Sequence, residues 1–278
     1  MTYRLPEEWN ASGFRRRMEV AVASVTSCGA ALQELRGFGV MASDDGTQLK
    51  TNVDIAAEGW VLGLLEGSFP DDQFLSEERF DGGNSKPLDT TRPFWTVDAL
   101  DGTRSYVEGF DGYCVQVAYI ESGVVQLGAI AEPAASRCYV GIRGEGSYLI
   151  DAEDRSERLH LDPSVAWPER PKFVDSTHPK GPAGVLFERL NAELLECGSA
   201  GLKICRIADG SGNVYFKEFK LKLWDIAPGE VILSEAGGKL SNWLGEPFPY
   251  TGRATHFERV AALPNAHLTR VLPFTFEA

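Results

Sequence analysis

The sequence has no apolar run approaching the ~18 residues that a membrane span requires, so no transmembrane helix is expected. Residues 1–17 carry charges throughout and lack an apolar core, so no secretory leader is expected either. Cysteine is sparse and unpatterned. The five residues, Cys28, Cys114, Cys138, Cys197 and Cys205, are odd in number and form no C-x-x-C. That argues against a disulfide framework or a zinc knuckle and for buried thiols in a reducing cytoplasm. Histidine is rarer still. His160, His178, His256 and His267 are scattered in polar contexts, and none is a candidate general base. Basic residues are in deficit: 27 Lys and Arg stand against 40 Asp and Glu, a formal net charge of −13 over 278 residues. A nucleic-acid polymer is therefore not expected as partner, because phosphate backbones are bound by extended Lys and Arg fields. Taken at face value, the same sum disfavours any anionic substrate. What the chain does have is an ordinary 43% of hydrophobic residues, enough for a sizeable core in one or two domains.

Apolar periodicity predicts a helix over 14–38, closed by Gly37 and Gly39, and a second over 52–67. Phe74-Leu75-Ser76 reads as a short strand delivering Glu77 and Glu78, and 79–92 as a polar loop, a candidate flap. Phe94 to Val97 is a buried strand that stops at Asp98. Strands follow at about 113–121, 124–131 and 137–143, punctuated by Ser122-Gly123, Glu132-Pro133 and Gly144-Glu145-Gly146. The charge run from Asp151 to Arg158, then Pro163, Pro168 and Pro171, marks a boundary between halves, 1–160 and 161–278. An exposed loop inside one domain is the alternative. The second half predicts a strand near 172–175, helices near 181–195 and 200–209, strands near 213–217 and 221–223, and a helix from Ile226 to Ala236. Pro228 lies early in that helix and Gly237 ends it. The class is α/β, or layered α+β.

The most informative segment is Trp95-Thr96-Val97-Asp98-Ala99-Leu100-Asp101-Gly102-Thr103. It puts two carboxylates at a strand terminus, where open sheets carry ligand sites. Two carboxylates flanking a turn carbonyl form a hard oxygen set, suited to Mg²⁺ and unsuited to zinc. A helix starting here would aim the N–H groups of Gly102 and Thr103 at an anion. The plainer alternative is an Asp-rich turn with Thr103 as N-cap. Taken alone, Asp225 reads as a capping aspartate, and Glu77 and Glu78 as solvated acids. Together they point to chemistry, because metal-dependent phosphoryl transfer gathers carboxylates from distant strand ends.

Four segments occur in one order: Leu75 to Glu78, Trp95 to Thr103, Trp224-Asp225-Ile226-Ala227-Pro228-Gly229, and Glu235-Ala236-Gly237-Gly238. They resemble the motifs of the lithium-sensitive, magnesium-dependent phosphomonoesterases, the superfamily of inositol monophosphatase, fructose-1,6-bisphosphatase and the 3'(2'),5'-bisphosphate nucleotidases. The resemblance spans residues 14–272. It implies a five-layered αβαβα sugar-phosphatase-type fold with the site between the halves. Residues 1–160 would carry most metal ligands, and 161–278 would bring Asp225 and the substrate contacts. It implies Glu77, Asp98 and the Leu100 carbonyl around one Mg²⁺, and Asp98, Asp101 and Asp225 around a second, with Glu78 at a weaker third. Gly102 and Thr103 would supply phosphate-binding amides. Asp54 would pair with the Thr103 hydroxyl and, with Glu77, orient the attacking water. The partner implied is a small phosphorylated metabolite, with no membrane partner, and the chain a monomer or homodimer. Ala99 departs from the family's frequent Pro. Arg104 reads as pairing with a surface carboxylate rather than touching substrate, and Glu58 as a solvated helix residue rather than a further carboxylate near the site.

For the substrate, the run Cys197 to Cys205, with Gly198, Ser199, Ala200 and Lys203, and the Ala227-Pro228 that follows Trp224-Asp225 resemble the bisphosphate nucleotidases. Glu218, seven residues before Asp225, resembles the glutamate that bonds sugar hydroxyls in inositol monophosphatases. The expectation is hydrolysis of the 3'-phosphate of 3'(2'),5'-bisphosphate nucleotides, with inositol or other polyol phosphates as the alternative. An inactive binding module is the alternative of a different class. It would require the loss of a core ligand, and Glu77, Asp98, Asp101, Thr103 and Asp225 are all present.

Overall fold

The computed structural model describes residues 3–36, 42–44, 49–81, 83, 88–89, 91–219, 221–251 and 256–271. Much of the expected 79–92 flap, at 82, 84–87 and 90, lies outside them. Helix α1 (Arg15–Leu35) buries Met18, Ala21, Val22, Val25, Cys28 and Leu32, a stripe at three- and four-residue spacing that faces the protein. A short antiparallel pair, β1 (Ala42–Asp44) and β2 (Leu49–Thr51), leads into α2 (Asn52–Ser68). Thr51 caps α2 by accepting from the N–H groups of Val53 and Asp54, while Asp54 accepts from the Thr51 N–H. Such a reciprocal cap stabilises a helix start by about 0.5–2 kcal/mol.

One sheet holds seven strands in chain order. They are β3 (Gln73–Ser76), which hands over to α3 (Glu77–Asp81), then β4 (Phe94–Asp101), followed by α4 (Thr103–Glu108). Next come β5 (Cys114–Glu121), β6 (Val124–Glu132), β7 (Arg137–Ile142), β8 (Gly146–Ile150) and β9 (Ser156–Arg158). Only β3 beside β4 is parallel. Strands β4 and β5 are buried along nearly their whole length because both faces are covered, and most of their residues are apolar. The expected 151–158 charge run ends in β9, an exposed edge strand whose charges discourage further pairing.

The rest of the chain builds on the other face. Strand β10 (Lys172–Asp175) precedes α5 (Gly181–Arg189) and β11 (Glu193–Glu196). The helix expected over 181–195 stops at Arg189. Asn191 adopts φ 50°, which a helix does not tolerate, and 193–196 pair in parallel with β10. Helix α6 (Ala200–Ala208), β12 (Tyr215–Lys217) and β13 (Leu221–Lys222) lead to α7 (Leu223–Ala236). That helix starts earlier than the expected Ile226, so Trp224 and Asp225 lie in its first turn. Strands β14 (Gly238–Asn242), β15 (His256–Phe257) and β16 (Val260–Pro264) and helix α8 (Leu268–Val271) complete the order. A small antiparallel sheet runs β12-β16-β14, and β13 pairs with β15.

Helix α7 is apolar nearly all round, with Leu223, Trp224, Ile226, Ala227, Val231, Ile232, Leu233 and Ala236 buried. Such a helix has no solvent face. It lies beside α6, between the seven-stranded sheet and the small sheet. Helices α1 and α2 cover the outer face of the large sheet, and α5 packs with Phe173, Phe216 and Trp243 beyond the small one. The layers are helix, sheet, helix, sheet, helix: the five-layered αβαβα order. All five cysteines are free and buried. No helix among the described residues is long and apolar enough to cross a membrane.

Candidate active site

Side chains alternate along a strand, so Asp98 and Asp101 would face opposite sides of a regular β4. The β4–β5 pairing is irregular between them: Asp98 pairs with Gln116 and Asp101 with Cys114. Irregularities of this kind re-aim side chains. Both carboxylates consequently reach one amide, with Gln116 Nε2 3.4 Å from Asp98 Oδ2 and 3.1 Å from Asp101 Oδ2. Asp98 Oδ1 also accepts from the Leu100 N–H at 3.1 Å. Gly102 then turns the chain into α4 with φ 93°, and a Cβ there would fall 2.6 Å from the Gly112 carbonyl. Only glycine fits that turn. Gly102, not Thr103, holds the N-cap position. The Thr103 hydroxyl instead lies 2.8 Å from Asp54 Oδ1 and 3.1 Å from the Leu100 carbonyl, tying α2 to α4.

Glu77 opens α3. The start of that helix is capped by Glu58, which accepts from the Glu78 N–H at 2.7 Å and the Arg79 N–H at 3.1 Å. Glu58 is therefore not a solvated helix residue; it is 4% exposed. Burial raises its carboxyl above the usual carboxylate range, and the two N–H groups oppose that. Asp54, Glu58, Glu77, Glu78, Asp98 and Leu100 line one narrow recess. From α7, Asp225 Oδ2 accepts from the Lys222 N–H at 2.7 Å. The Lys222 ammonium lies 3.1 Å from Glu77 Oε1 and over the Trp224 ring. Burial pushes the Asp98 carboxyl well above its ordinary range, and the charges of Glu77, Asp101 and Asp225 push it further. Asp225 is raised in the same way, by burial first and then by Asp101 and Glu77. Lys222 offsets one of these charges.

Asp101 is also gripped from the second half. Its Oδ2 accepts from Ser199 Oγ at 2.6 Å and from the Gly201 N–H at 2.8 Å. Ser199 at the same time caps α6, accepting from the Leu202 N–H at 3.0 Å. The run Gly198-Ser199-Ala200 thus stands at the carboxylates. Lys203 is buried, not solvated. It donates to the Gly198 carbonyl at 3.0 Å and lies 3.6 Å from Asp175 Oδ1 and over the Tyr215 ring. Burial lowers its pKa, and Asp175 opposes that. Glu218 is half-buried after β12, with Oε2 toward Gly181 at the start of α5. No hydrogen bond or ion pair among the described residues joins it to the acidic cluster. Arg104 is largely exposed, 3.7 Å from Glu108. A larger cavity of about 720 Å³, lined by Ser105, Gly112, Thr177, Gly198 and Arg206, shares Gly102 with the site but none of the four clustered carboxylates.

Among the described residues, no three His, Cys, Asp or Glu side chains close into a ready cage for an ion. Asp101 Oδ2 is turned to Ser199, Gly201 and Gln116, and Glu77 to Lys222. The chemistry of the donors nonetheless fits magnesium. They are hard oxygens throughout, and their buried charge exceeds what Lys222 offsets. Magnesium keeps several waters and binds through one or two carboxylates plus substrate phosphate, seldom through an all-protein cage. The sequence alone does not reveal Gln116, Lys222 or the capping role of Glu58. The one signal for Gln116 is a lone carboxamide inside an apolar run.

The model of the inositol monophosphatase family matches residues 15–272. Inositol monophosphatase 3 of Solanum lycopersicum is 32% identical over 225 residues, 79% of this chain and 81% of that protein. Nus factor SuhB of Pasteurella multocida is 30% identical over 202 residues, 70% and 72% of the two chains. An IMPase of Thermotoga maritima shares the fold with a TM-score of 0.78 at 21% identity, covering 94% of this chain and 97% of that one. CysQ from Bacteroides thetaiotaomicron does so with a TM-score of 0.72 at 20% identity, covering 91% and 98%.

Proposed function

The chain belongs to the inositol monophosphatase family, and from that membership we propose that it is a magnesium-dependent phosphomonoesterase of a small phosphorylated metabolite. One observation carries the reading. Glu77, Asp98, Asp101 and Asp225, from α3, β4 and α7, converge so closely that Asp98 feels the charges of the other three, and Asp225 those of Asp101 and Glu77.

In this reading Glu77, Asp98 and the Leu100 carbonyl would hold one ion and Asp98, Asp101 and Asp225 a second, with Glu78 at a weaker third. Bound there, magnesium supplies the charge that acidifies water and offsets the phosphate. The chain's own residues orient the reactants. The Thr103 hydroxyl donates to Asp54 Oδ1 at 2.8 Å, so its lone pairs are left to accept from a water and fix its direction. Glu77 and the Asp54–Thr103 pair take up the proton that this water loses. The amides of Gly102 and Thr103 face the phosphate oxygens. Residues 1–160 carry most of this machinery, and 161–278 add Asp225 and the substrate contacts.

For the substrate, a polyol monophosphate of the inositol type is favoured over the expected bisphosphate nucleotide. Relatives with inositol monophosphatase names, one of them at 32% identity, support the polyol; the nucleotide reading leans on Ala227-Pro228 and on Lys203, whose ammonium is directed to the Gly198 carbonyl and Asp175. The nucleotide stays as the second reading because Lys217 joins Lys203 at Asp175, 4.0 Å away, so two ammonium groups share one carboxylate near Gly198. Phosphate release from inositol 1-phosphate and from adenosine 3',5'-bisphosphate, each with and without Mg²⁺, tests both levels. Magnesium-dependent release, faster from the first, is expected. Faster release from the second reverses the substrate choice, and no magnesium-dependent release from any monoester refutes the enzyme.

A further inference from the structure

We propose that Gln116 is a positioning residue of this site, holding Asp98 and Asp101 in the orientation in which they meet the metal. The inference rests on the reading of those two aspartates as magnesium ligands. Gln116 lies in β5 among Cys114, Val115, Val117 and Ala118, and all five are fully buried. A carboxamide in that setting has given up its water contacts. Its Nε2 points to Asp98 Oδ2 and Asp101 Oδ2, while its Oε1 is buried with no partner. An unpartnered buried carbonyl destabilises a fold, and an apolar side chain of equal length would avoid it. Each hydrogen bond that the side chain makes goes to the acidic site. The reversed amide would aim its carbonyl at two carboxylates, so the orientation is settled by charge.

The space around Gln116 is shaped to match. A Cβ at position 201 would fall 2.2 Å from Gln116 Oε1, so the first turn of α6 approaches only because residue 201 is glycine. That approach brings the Gly201 N–H to Asp101. Ser199 Oγ, Gly201 N and Gln116 Nε2 all converge on Asp101 Oδ2, and among the described residues nothing donates to Oδ1. The side chain is thereby turned with one oxygen held and the other left for a ligand. The choice of an amide also follows from charge. Lysine in this place would quiet the repulsion between the two aspartates but compete with a cation. A neutral double donor bridges them without competing.

The test is Gln116→Met, which keeps the length and removes the donor. Mg²⁺ binding to the metal-stripped full chain is measured by titration calorimetry, and phosphate release is followed against Mg²⁺ concentration. Thermal melting checks that the variant folds. Affinity for Mg²⁺ should fall about 10–100-fold, as when a ligand's outer support is removed. The half-saturating Mg²⁺ for turnover should rise in step, with KM for the phosphate ester little changed. Wild-type Mg²⁺ affinity in a folded Gln116→Met overturns the proposal. Asp98→Asn is run alongside. If it loses Mg²⁺ binding while Gln116→Met keeps it, the positioning role fails and the ligand assignment stands. If Asp98→Asn binds Mg²⁺ like the wild type, the ligand assignment fails and the proposal with it. Should Gln116→Met not fold, Gln116→Asn carries the test: weaker Mg²⁺ binding supports the role, and unchanged binding overturns it.

Discussion

Asp225→Asn separates what the acidic site does for the fold from what it does for catalysis. The substitution preserves shape. The asparagine carbonyl still accepts from the Lys222 N–H, now 2.7 Å from Asp225 Oδ2. What disappears is one half-buried negative charge that desolvation, Asp101 and Glu77 all disfavour. At an effective dielectric of about 20, two like charges about 4 Å apart repel by about 4 kcal/mol, and by less as they separate; Lys222 offsets part of that here. Relief of about 1–2 kcal/mol, at about 2–4 °C per kcal/mol, raises the melting temperature of the metal-stripped protein by about 2–8 °C. The pH dependence has a definite sign. The native carboxyl holds its proton more tightly than the unfolded one, whose ordinary value is 3.8. Its contribution to stability is complete below that value and is lost as pH rises through the raised native one. The advantage of the variant should therefore be largest at about pH 8 and vanish toward about pH 4. Saturating Mg²⁺ should reverse the order, because the wild type gains about 2.7 kcal/mol at one hundred times Kd and the variant gains little. Turnover should drop at least about 100-fold. Scanning fluorimetry in EDTA and in Mg²⁺, with phosphate release, reads all of this. A folded variant that melts below the wild type in EDTA at about pH 8, or that Mg²⁺ stabilises equally, would refute the reasoning.

Glu58→Ala strips two partners from the start of α3 and should cost about 2–4 kcal/mol in urea unfolding; an unchanged midpoint would show that the cap is dispensable. Thr103→Val removes the hydroxyl bonded to Asp54 and should lower kcat about 100-fold or more, while Thr103→Ser keeps most of it. Equal rates for the two variants would exclude the hydroxyl from the reaction. Lys222→Met removes the ammonium that faces Glu77, so the metal-free protein should lose about 1–3 kcal/mol and bind Mg²⁺ more tightly. Weaker Mg²⁺ binding in calorimetry would contradict the competition.

Much of the fold follows from periodicity. The buried runs of β4 to β7, the stripe on α1 and the apolar girth of α7 each announce their layer. What escaped depends on partners distant in the chain. Helix α5 ends early because Asn191 takes a left-handed turn and 193–196 find a strand to pair with, which no local pattern records. Glu58 reads as solvated on a helical wheel, yet α3 lies across that face and uses the carboxylate as its cap. Asp98 and Asp101 look mismatched by strand alternation until the irregularity against β5 brings them to one side. The candidate ligands are legible in the order of four motifs, not in any single one. Each motif alone has an ordinary structural explanation, and a shared site is the explanation that serves them together.

The net charge of −13 argues against anionic substrates only while it is treated as spread evenly. Here part of the acidic excess is concentrated at a buried Asp98 and the half-buried Glu77, Asp101 and Asp225 around it, whose charges repel one another. A field of that kind repels a phosphate dianion and attracts divalent cations in the same measure. Two magnesium ions would add four positive charges to four carboxylates already partly offset by Lys222, so the local sign turns positive where the global sum stays negative. The acidic composition and a phosphate-ester substrate then become cause and consequence: the carboxylates that would exclude the substrate are the ones that recruit the charge needed to bind it. A local patch of metal charge does not make the extended basic surface that a nucleic-acid polymer requires.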